Sequence, residues 1–199
     1  MLETIFLGTR SIVFVLTDGD EYLRYRVKLG ADTVSDVRKG QRVTFQNLAP
    51  ATSYDVSIAI APRACKFMRI YNNRNNDPLS LAEVRAWNVN GKNAAKPDNG
   101  GTATQTSTNY GAIASRALDG NTNGNFARRS VTHTKDGKGQ YWQLDVKPQV
   151  IKSVSIFNRT DCCSQRLRDA LLVMYGTDDE IFFKQRLTGV VTQEVFIPP

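Results

Sequence analysis

The chain reads as a series of short runs in which apolar and polar positions alternate with a period of two, separated by polar turns. Ser11 to Leu16 is β-branched and apolar and stops at the turn cluster Thr17-Asp18-Gly19-Asp20. Tyr22 to Leu29 alternates up to Gly30, and Gln41 to Leu48 alternates again. Further runs follow at Tyr54–Ile60, Lys66–Tyr71, Leu79–Trp87, Gln140–Val146, Ile151–Phe157, Ala170–Tyr175, Glu180–Phe183 and Val190–Ile197. Side chains of a strand point to opposite faces in turn, so this period predicts half-buried strands. Ala103–Thr108 reads as a polar strand or its lead-in, and Ile113–Leu118 as one helical turn stopped by Asp119-Gly120-Asn121. No stretch keeps a helical period for long. Many short strands between turns predict an all-β sandwich.

Residues 1–62 form the first part of this series. Leu48, Pro50, Thr52 and Tyr54 make a corner leading into an alternating strand, which resembles the end of a fibronectin type III domain. The resemblance implies that the Tyr54 hydroxyl ties the corner back to the backbone. It also implies a spacer role, since nothing in 1–62 suggests chemistry. The expected division is a fibronectin-III-like segment at 1–62 and a second domain at 63–199.

Charge sharpens that division. The net charge of +7 comes from 26 Lys and Arg against 19 Asp and Glu. Within 1–62 seven of each sign cancel, so the whole excess falls after residue 62. A basic domain raises the question of nucleic acid. The basic residues are scattered among polar loops, with no tract and no aromatic RNA-binding signature, so a solvated surface or attraction to acidic glycans is expected instead. No run of 18 apolar residues exists, and no signal peptide is visible at Met1-Leu2-Glu3-Thr4-Ile5.

The chain holds three cysteines and one histidine, with no zinc-like spacing. Cys65, in an apolar run, is expected to be a small buried residue. Cys162 and Cys163 are adjacent and sit between Arg159 and Arg166. Neighbouring Cα atoms lie about 3.8 Å apart, below the roughly 4.4–6.8 Å of ordinary disulfides. Two readings stand open on these residues: a small ring that forces a tight turn and presents a polarisable sulfur face, or two unlinked thiols with arginines in solvated ion pairs.

Five motifs then fall into an order. They are Ala103–Thr108, Ala117-Leu118-Asp119-Gly120-Asn121, Thr132-His133-Thr134, Tyr141–Asp145, and Arg159-x-x-Cys-Cys-x-x-Arg166-Leu167. The order resembles an F-type lectin (fucolectin) domain, a branch of the discoidin-like, coagulation factor 5/8 C-type group, over roughly residues 64–199. The resemblance implies a jelly-roll or discoidin-like β-sandwich that binds terminal L-fucose through His133, Arg159 and Arg166. It implies a disulfide between Cys162 and Cys163 packed on the sugar, and Phe126 against the methyl of the deoxy sugar. Arginine offers a fork of donors to vicinal hydroxyls. Ala127 stands where some members carry tyrosine, which implies a thinner wall there.

The same resemblance implies a structural Ca²⁺ held by Asp119, Ser130 and Glu83 with the carbonyls of Arg116, Asn121 and Ala82. Oxygen-only ligation at a loop suits that ion. In the family the Glu lies near the C-terminus. Here Phe67–Tyr71 and Leu81–Trp87 precede the core, so the expected strand order is circularly permuted, or that of a tandem-repeat fragment. Many members bridge the positions of Val131 and Ala82 by a disulfide; both cysteines are missing here together.

The implied partners are fucosylated glycans outside the cell or on its surface, with oligomers supplying avidity. The alternatives are a discoidin-like module for protein or lipid, and a module of a glycan-processing enzyme. Polar loops at 72–77 and 135–139 argue against membrane insertion. A glycosidase needs two carboxylates about 5–9.5 Å apart. Asp161 lies in the right stretch, with no second acid evident beside it.

Overall fold

The computed structural model describes residues 2–7, 10–17, 25–49 and 52–198. The chain divides into two compact units, Met1–Pro62 and Arg63–Pro198.

The first unit holds six strands: β1 (Leu2–Leu7), β2 (Ser11–Leu16), β3 (Tyr25–Leu29), β4 (Asp32–Val37), β5 (Arg42–Gln46) and β6 (Val56–Ile60). They form two three-stranded antiparallel sheets, β1-β2-β5 and β4-β3-β6. Alternation does what the pattern predicts: Tyr25, Val27 and Leu29 turn inward while Arg26 and Lys28 face out. Phe14, Leu16, Val43, Phe45 and Leu48 complete the core. The Ala49 amide donates to the Tyr54 hydroxyl at 2.7 Å, so the tyrosine ties its corner to the backbone. Strands β1 and β4 were not expected from the sequence. The start of the run at Tyr22, the turn at Asp18–Asp20, and Pro50 of the corner lie outside the described residues.

The second unit holds β7 (Ala64–Tyr71), β8 (Leu81–Asn88), β9 (Thr102–Gln105), β10 (Tyr141–Asn158), β11 (Leu171–Gly176), β12 (Ile181–Arg186) and β13 (Thr192–Phe196). The two runs expected at 140–146 and 151–157 are one strand. Its first half pairs with β7 and β9, its second half with β8 and β13. The register against β7 shifts between Asp145 and Gln149. Pro148 lies in that gap, where a residue without an N–H costs no ladder bond. β10 therefore passes from a sheet ordered β12-β11-β7-β10-β9 into a sheet ordered β8-β10-β13. The run expected at 103–108 pairs only as far as Gln105.

Both sheets close on one core. Met68, Ile70, Trp142, Leu144 and Met174 come from the first sheet, and Val84, Ala86, Val154, Ile156 and Val195 from the second. Cys65 is fully buried and unlinked, as its apolar setting predicts. Trp142 Nε1 donates to the Ala114 carbonyl at 3.0 Å, which pins the 3-10 turn Ala114–Leu118 to the sheet. The loops that leave this scaffold at 106–136 and 158–170 carry the site. Strand β7, which precedes the matched motifs in the chain, lies centrally between β11 and β10.

Candidate functional site

Thr132-His133-Thr134 is stitched to the first residue of β8 and the segment just before it. Thr132 and Leu81 exchange backbone and side-chain hydrogen bonds, and Thr134 does the same with Leu79. Alternation along this extended stretch commits both threonines to the stitch and leaves His133 on the other side. The His133 amide donates to the Ala112 carbonyl at 3.1 Å, and its carbonyl accepts from Asn109 at 2.9 Å. The ring is fixed as well: Nδ1 lies 2.7 Å from the Thr134 carbonyl. A carbonyl only accepts, so Nδ1 carries the proton and Nε2 of the neutral ring is an acceptor. Burial lowers the His133 pKa below its ordinary value. The Thr134 carbonyl and Asp136 oppose that shift, while the Arg159 and Arg166 cations add to it.

The loop before His133 carries an acid or amide at every second position. Asp119, Asn121, Asn123 and Asn125 each accept, through the side chain, the backbone N–H two residues on, at 2.8, 3.0, 2.9 and 3.0 Å. These are successive Asx turns. They deliver Phe126 at the start of a short 3-10 turn. Gly124 allows the loop to press against the end of β10. A Cβ there would lie 2.6 Å from the Asn158 carbonyl oxygen and 2.7 Å from the Thr160 side chain.

After β10 the chain turns sharply. Asn158 is buried, and its side-chain amide donates to the Ser164 and Gly189 carbonyls while its oxygen accepts from Arg159. Cys162 and Cys163 are disulfide-bonded, with Cα atoms 3.8 Å apart. The linked-ring reading therefore holds. Cys163 takes a left-handed backbone, φ 61°, and starts the 3-10 turn Ser164–Leu167. Leu167 buries itself in the core and anchors Arg166 beside it.

Arg159 is not a free fork. Its Nε and Nη2 donate to Asp161 Oδ1 and Oδ2 at 2.8 and 2.9 Å, and its guanidinium lies 4.5 Å from the Phe126 ring centre. That leaves Nη1 outside the pair. Asp161 also accepts from the Phe126 amide at 3.2 Å. The Arg159 bond holds the Asp161 carboxyl down at about 2. The sequence points to Asp161 only as a catalytic acid without a partner; the structure makes it the residue that orients Arg159. Arg166 Nε lies 3.3 Å from Asp77 Oδ1, yet this buried nitrogen makes no hydrogen bond within the protein.

His133, Arg159, Arg166, Phe126 and both cysteines line a single depression of about 420 Å³. Tyr110 and Asp136, which the sequence reading did not single out, line it too. Tyr110 is 74% exposed and meets His133 and Phe126 edge-on, at ring-centre distances of 5.4 and 6.1 Å. An aromatic in the turn Asn109-Tyr110-Gly111 is the one local signal that could have found it. Ala127 is absent from this lining and belongs to a neighbouring depression.

Of the second group of expected residues, Glu83 meets the start of the Asx-turn loop, which carries Asp119 and Asn121. Glu83 is buried on β8. Its carboxylate accepts from the Gly120 amide at 3.2 Å and lies 3.6 Å from Arg85 Nε. Burial pushes the Glu83 carboxyl up to about 7, with the Asp119 charge adding to the rise and Gly120 and Arg85 opposing it. Ser130 is buried, and its hydroxyl donates to the Asn123 and Asn125 carbonyls. Arg116 donates to the Val131 carbonyl at 3.2 Å. The Leu81–Thr132 bonds bring the segments of Ala82 and Val131 side by side. Among the described residues no group of three or more His, Cys, Asp or Glu side chains is placed to hold a metal. The expected ligands are two carboxylates, a hydroxyl and backbone carbonyls, a donor set that suits a hard cation such as Ca²⁺ and not a transition metal.

Comparison with known proteins agrees with this architecture. Residues 116–196 match the F5/F8 type C family described as NedA-like, galactose-binding domain. The chain is similar to Fucolectin-6 of Anguilla japonica, 40% identical over 62 residues, 31% of this chain and 33% of that protein. Fucolectin-3 of the same species is 39% identical over 80 residues, 37% of this chain and 44% of the relative. Fucolectin of Anguilla anguilla is 41% identical over 58 residues, 29% and 37% of the two chains. The chain thus spans between a third and a half of the length of these curated relatives. No solved structure gives a significant match. The second unit is an all-β sandwich, and residues 116–196 within it are what is similar to this family. No helix among the described residues is long and apolar enough to cross a membrane.

Proposed function

We propose that the second unit is a carbohydrate-binding lectin domain that recognises terminal L-fucose on glycans outside the cell. One observation carries the reading: an imidazole acceptor, two guanidiniums, an aromatic ring and a bonded pair of adjacent sulfurs line one open depression. A pyranose offers hydroxyl rims and an apolar C–H face. His133 Nε2 accepts from a hydroxyl, Arg159 Nη1 and the terminal nitrogens of Arg166 donate to oxygens, and Phe126 with the disulfide meets the apolar side. Lectins among its relatives support the same class.

The site binds and does not cleave. Asp161 is held ionised by Arg159, so it cannot deliver a proton to a leaving group near neutral pH. A single sugar has few atoms to contribute, so one-site affinity is modest and several copies raise it. Ca²⁺ at Asp119, Glu83, Ser130 and the carbonyls of Ala82, Arg116 and Asn121 neutralises two neighbouring carboxylates and braces the loop that carries Phe126. The first unit presents the lectin as a fibronectin-III-like arm.

Titration of the chain with L-fucose by calorimetry tests the reading. The wild type binds fucose, and His133→Ala and Arg166→Ala abolish binding while the domain keeps its circular dichroism spectrum. Undiminished binding in both variants overturns the site assignment. Release of nitrophenol from a nitrophenyl fucoside would overturn the binding-only reading.

A further inference from the structure

A second depression, of about 450 Å³, adjoins the first and shares two of its walls, Tyr110 and Phe126. Its other lining residues are Gly111, Arg116, Ala127 and Arg129. Two of the six carry guanidiniums and none carries an acid. Among the described residues, neither arginine is paired with a carboxylate. Among the described residues the Arg116 guanidinium donates to the Val131 carbonyl and to no carboxylate. Arg129 is exposed, held by a left-handed backbone of φ 59° at the end of the Phe126–Arg128 turn. Its amide donates to the Phe126 carbonyl at 3.0 Å, so the turn that places the Phe126 wall also places this charge. Ala127, with a single methyl, leaves the floor between them open.

The divide between the two depressions is amphipathic. Tyr110 is 74% exposed and stands edge-on to Phe126. A ring with an apolar face and a hydroxyl at its tip suits contact with a sugar that follows the one in the first depression. Beyond it, two guanidiniums with no carboxylate to satisfy them call for an anion. Guanidinium forks match the planar or tetrahedral oxygens of carboxylate and sulfate.

We propose that this depression is an extension subsite for an anionic group, sulfate or carboxylate, carried by a sugar near the terminal fucose. The inference rests on the lectin reading and refines it: the preferred ligands are acidic fucosylated glycans.

The test is calorimetry of the full chain with four probes: L-fucose, a neutral fucosylated oligosaccharide, and the sulfated and sialylated forms of that oligosaccharide. At least one charged form binds about fivefold more tightly than the neutral one, the scale of exposed ion pairs. The ratio between the two charged forms tells sulfate from carboxylate. The margin shrinks as sodium chloride is raised, because exposed charges are screened. Arg129→Gln reduces the margin, and Ala127→Glu, which puts an acid in the lining, reverses it; both bind free fucose as the wild type does. Equal affinity for neutral and charged oligosaccharides overturns the inference and leaves the fucose site standing. A margin that survives in both variants also overturns it. Failure to bind free fucose removes both readings together.

Discussion

Asp161 holds Arg159 through two parallel hydrogen bonds of 2.8 and 2.9 Å, and the same carboxylate accepts the amide of Phe126 at 3.2 Å. One side chain therefore orients a guanidinium and the aromatic ring beneath it, which lies 4.5 Å away. Arginine spends its fork on a neighbour two residues on, and what remains for a ligand is one nitrogen at a set position. Asp161→Asn breaks one arm of the fork and loosens the ring. Fucose affinity is expected to fall about fivefold, from the loss of a charge-assisted bond at a partly exposed site. The melting temperature should move less than the affinity, because the pair lies at the wall of the depression and outside the hydrophobic core. Calorimetry beside a thermal melt separates the two effects; wild-type affinity in Asp161→Asn would show that Arg159 needs no such partner.

His133 predicts a pH profile. Its neutral ring accepts at Nε2, and protonation turns that acceptor into a donor. The groups facing it are the Arg159 and Arg166 cations, the Asp136 carboxylate and the Thr134 carbonyl. Its pKa is lowered in the fold, so fucose binding stays level down through the ordinary histidine value of about 6.5 and falls off below it. Stability follows the same sign. The unfolded chain takes up its proton first, so the contribution is complete above about 6.5 and is lost as pH falls through the lower folded value. Asp161, held near 2, stays charged throughout that window. The acid limb should vanish in His133→Gln, even where that variant binds weakly; an unchanged limb would assign it to another group.

Calcium predicts a difference between melts. An ion that binds the folded domain alone raises stability by about 2.7 kcal/mol at a hundredfold excess over its Kd. Chelation is expected to lower the melting temperature of the second unit by several degrees, with Ca²⁺ and not Mg²⁺ restoring it. Glu83→Gln should no longer respond to added Ca²⁺. Superimposable melts with and without chelator would remove the ion from this site.

Gly124→Ala tests the loop that carries Phe126. The added methyl would stand 2.6 Å from the Asn158 carbonyl oxygen and 2.7 Å from Thr160, so loop and strand end must separate. A cost of ~1–3 kcal/mol is expected, typical of overpacking. Fucose affinity should fall with it, because both walls of the depression move. A stable variant with full affinity would show that the close approach is not needed.

Tyr54→Phe probes the first unit without touching the site. It removes the hydroxyl that accepts from the Ala49 amide at 2.7 Å. About 1 kcal/mol of stability should be lost. Fucose binding should be unaffected, as read by calorimetry on the same sample.

Strand runs, the class of fold and the inner faces were legible along the chain, because period-two alternation is a local property. Val27, Leu29, Val43 and Phe45 are buried where alternation places them. Arg159, Arg166 and the adjacent cysteines were legible as one short stretch, and His133 was joined to them only by the resemblance to F-type lectins. Three features were not. Strand β10 runs unbroken past Pro148 because two sheets pair with its two halves, and pairing is a contact between distant segments. The task of Asp161 depends on where the Arg159 guanidinium lands. Tyr110 enters the site because the 106–112 loop folds over His133, joined by a backbone bond across 24 residues. A chain states which residues can form a strand or a tight turn from neighbour sterics alone. Which side chains face one another across a depression depends on how separate loops close on a common core, and that is decided when the sheets pack.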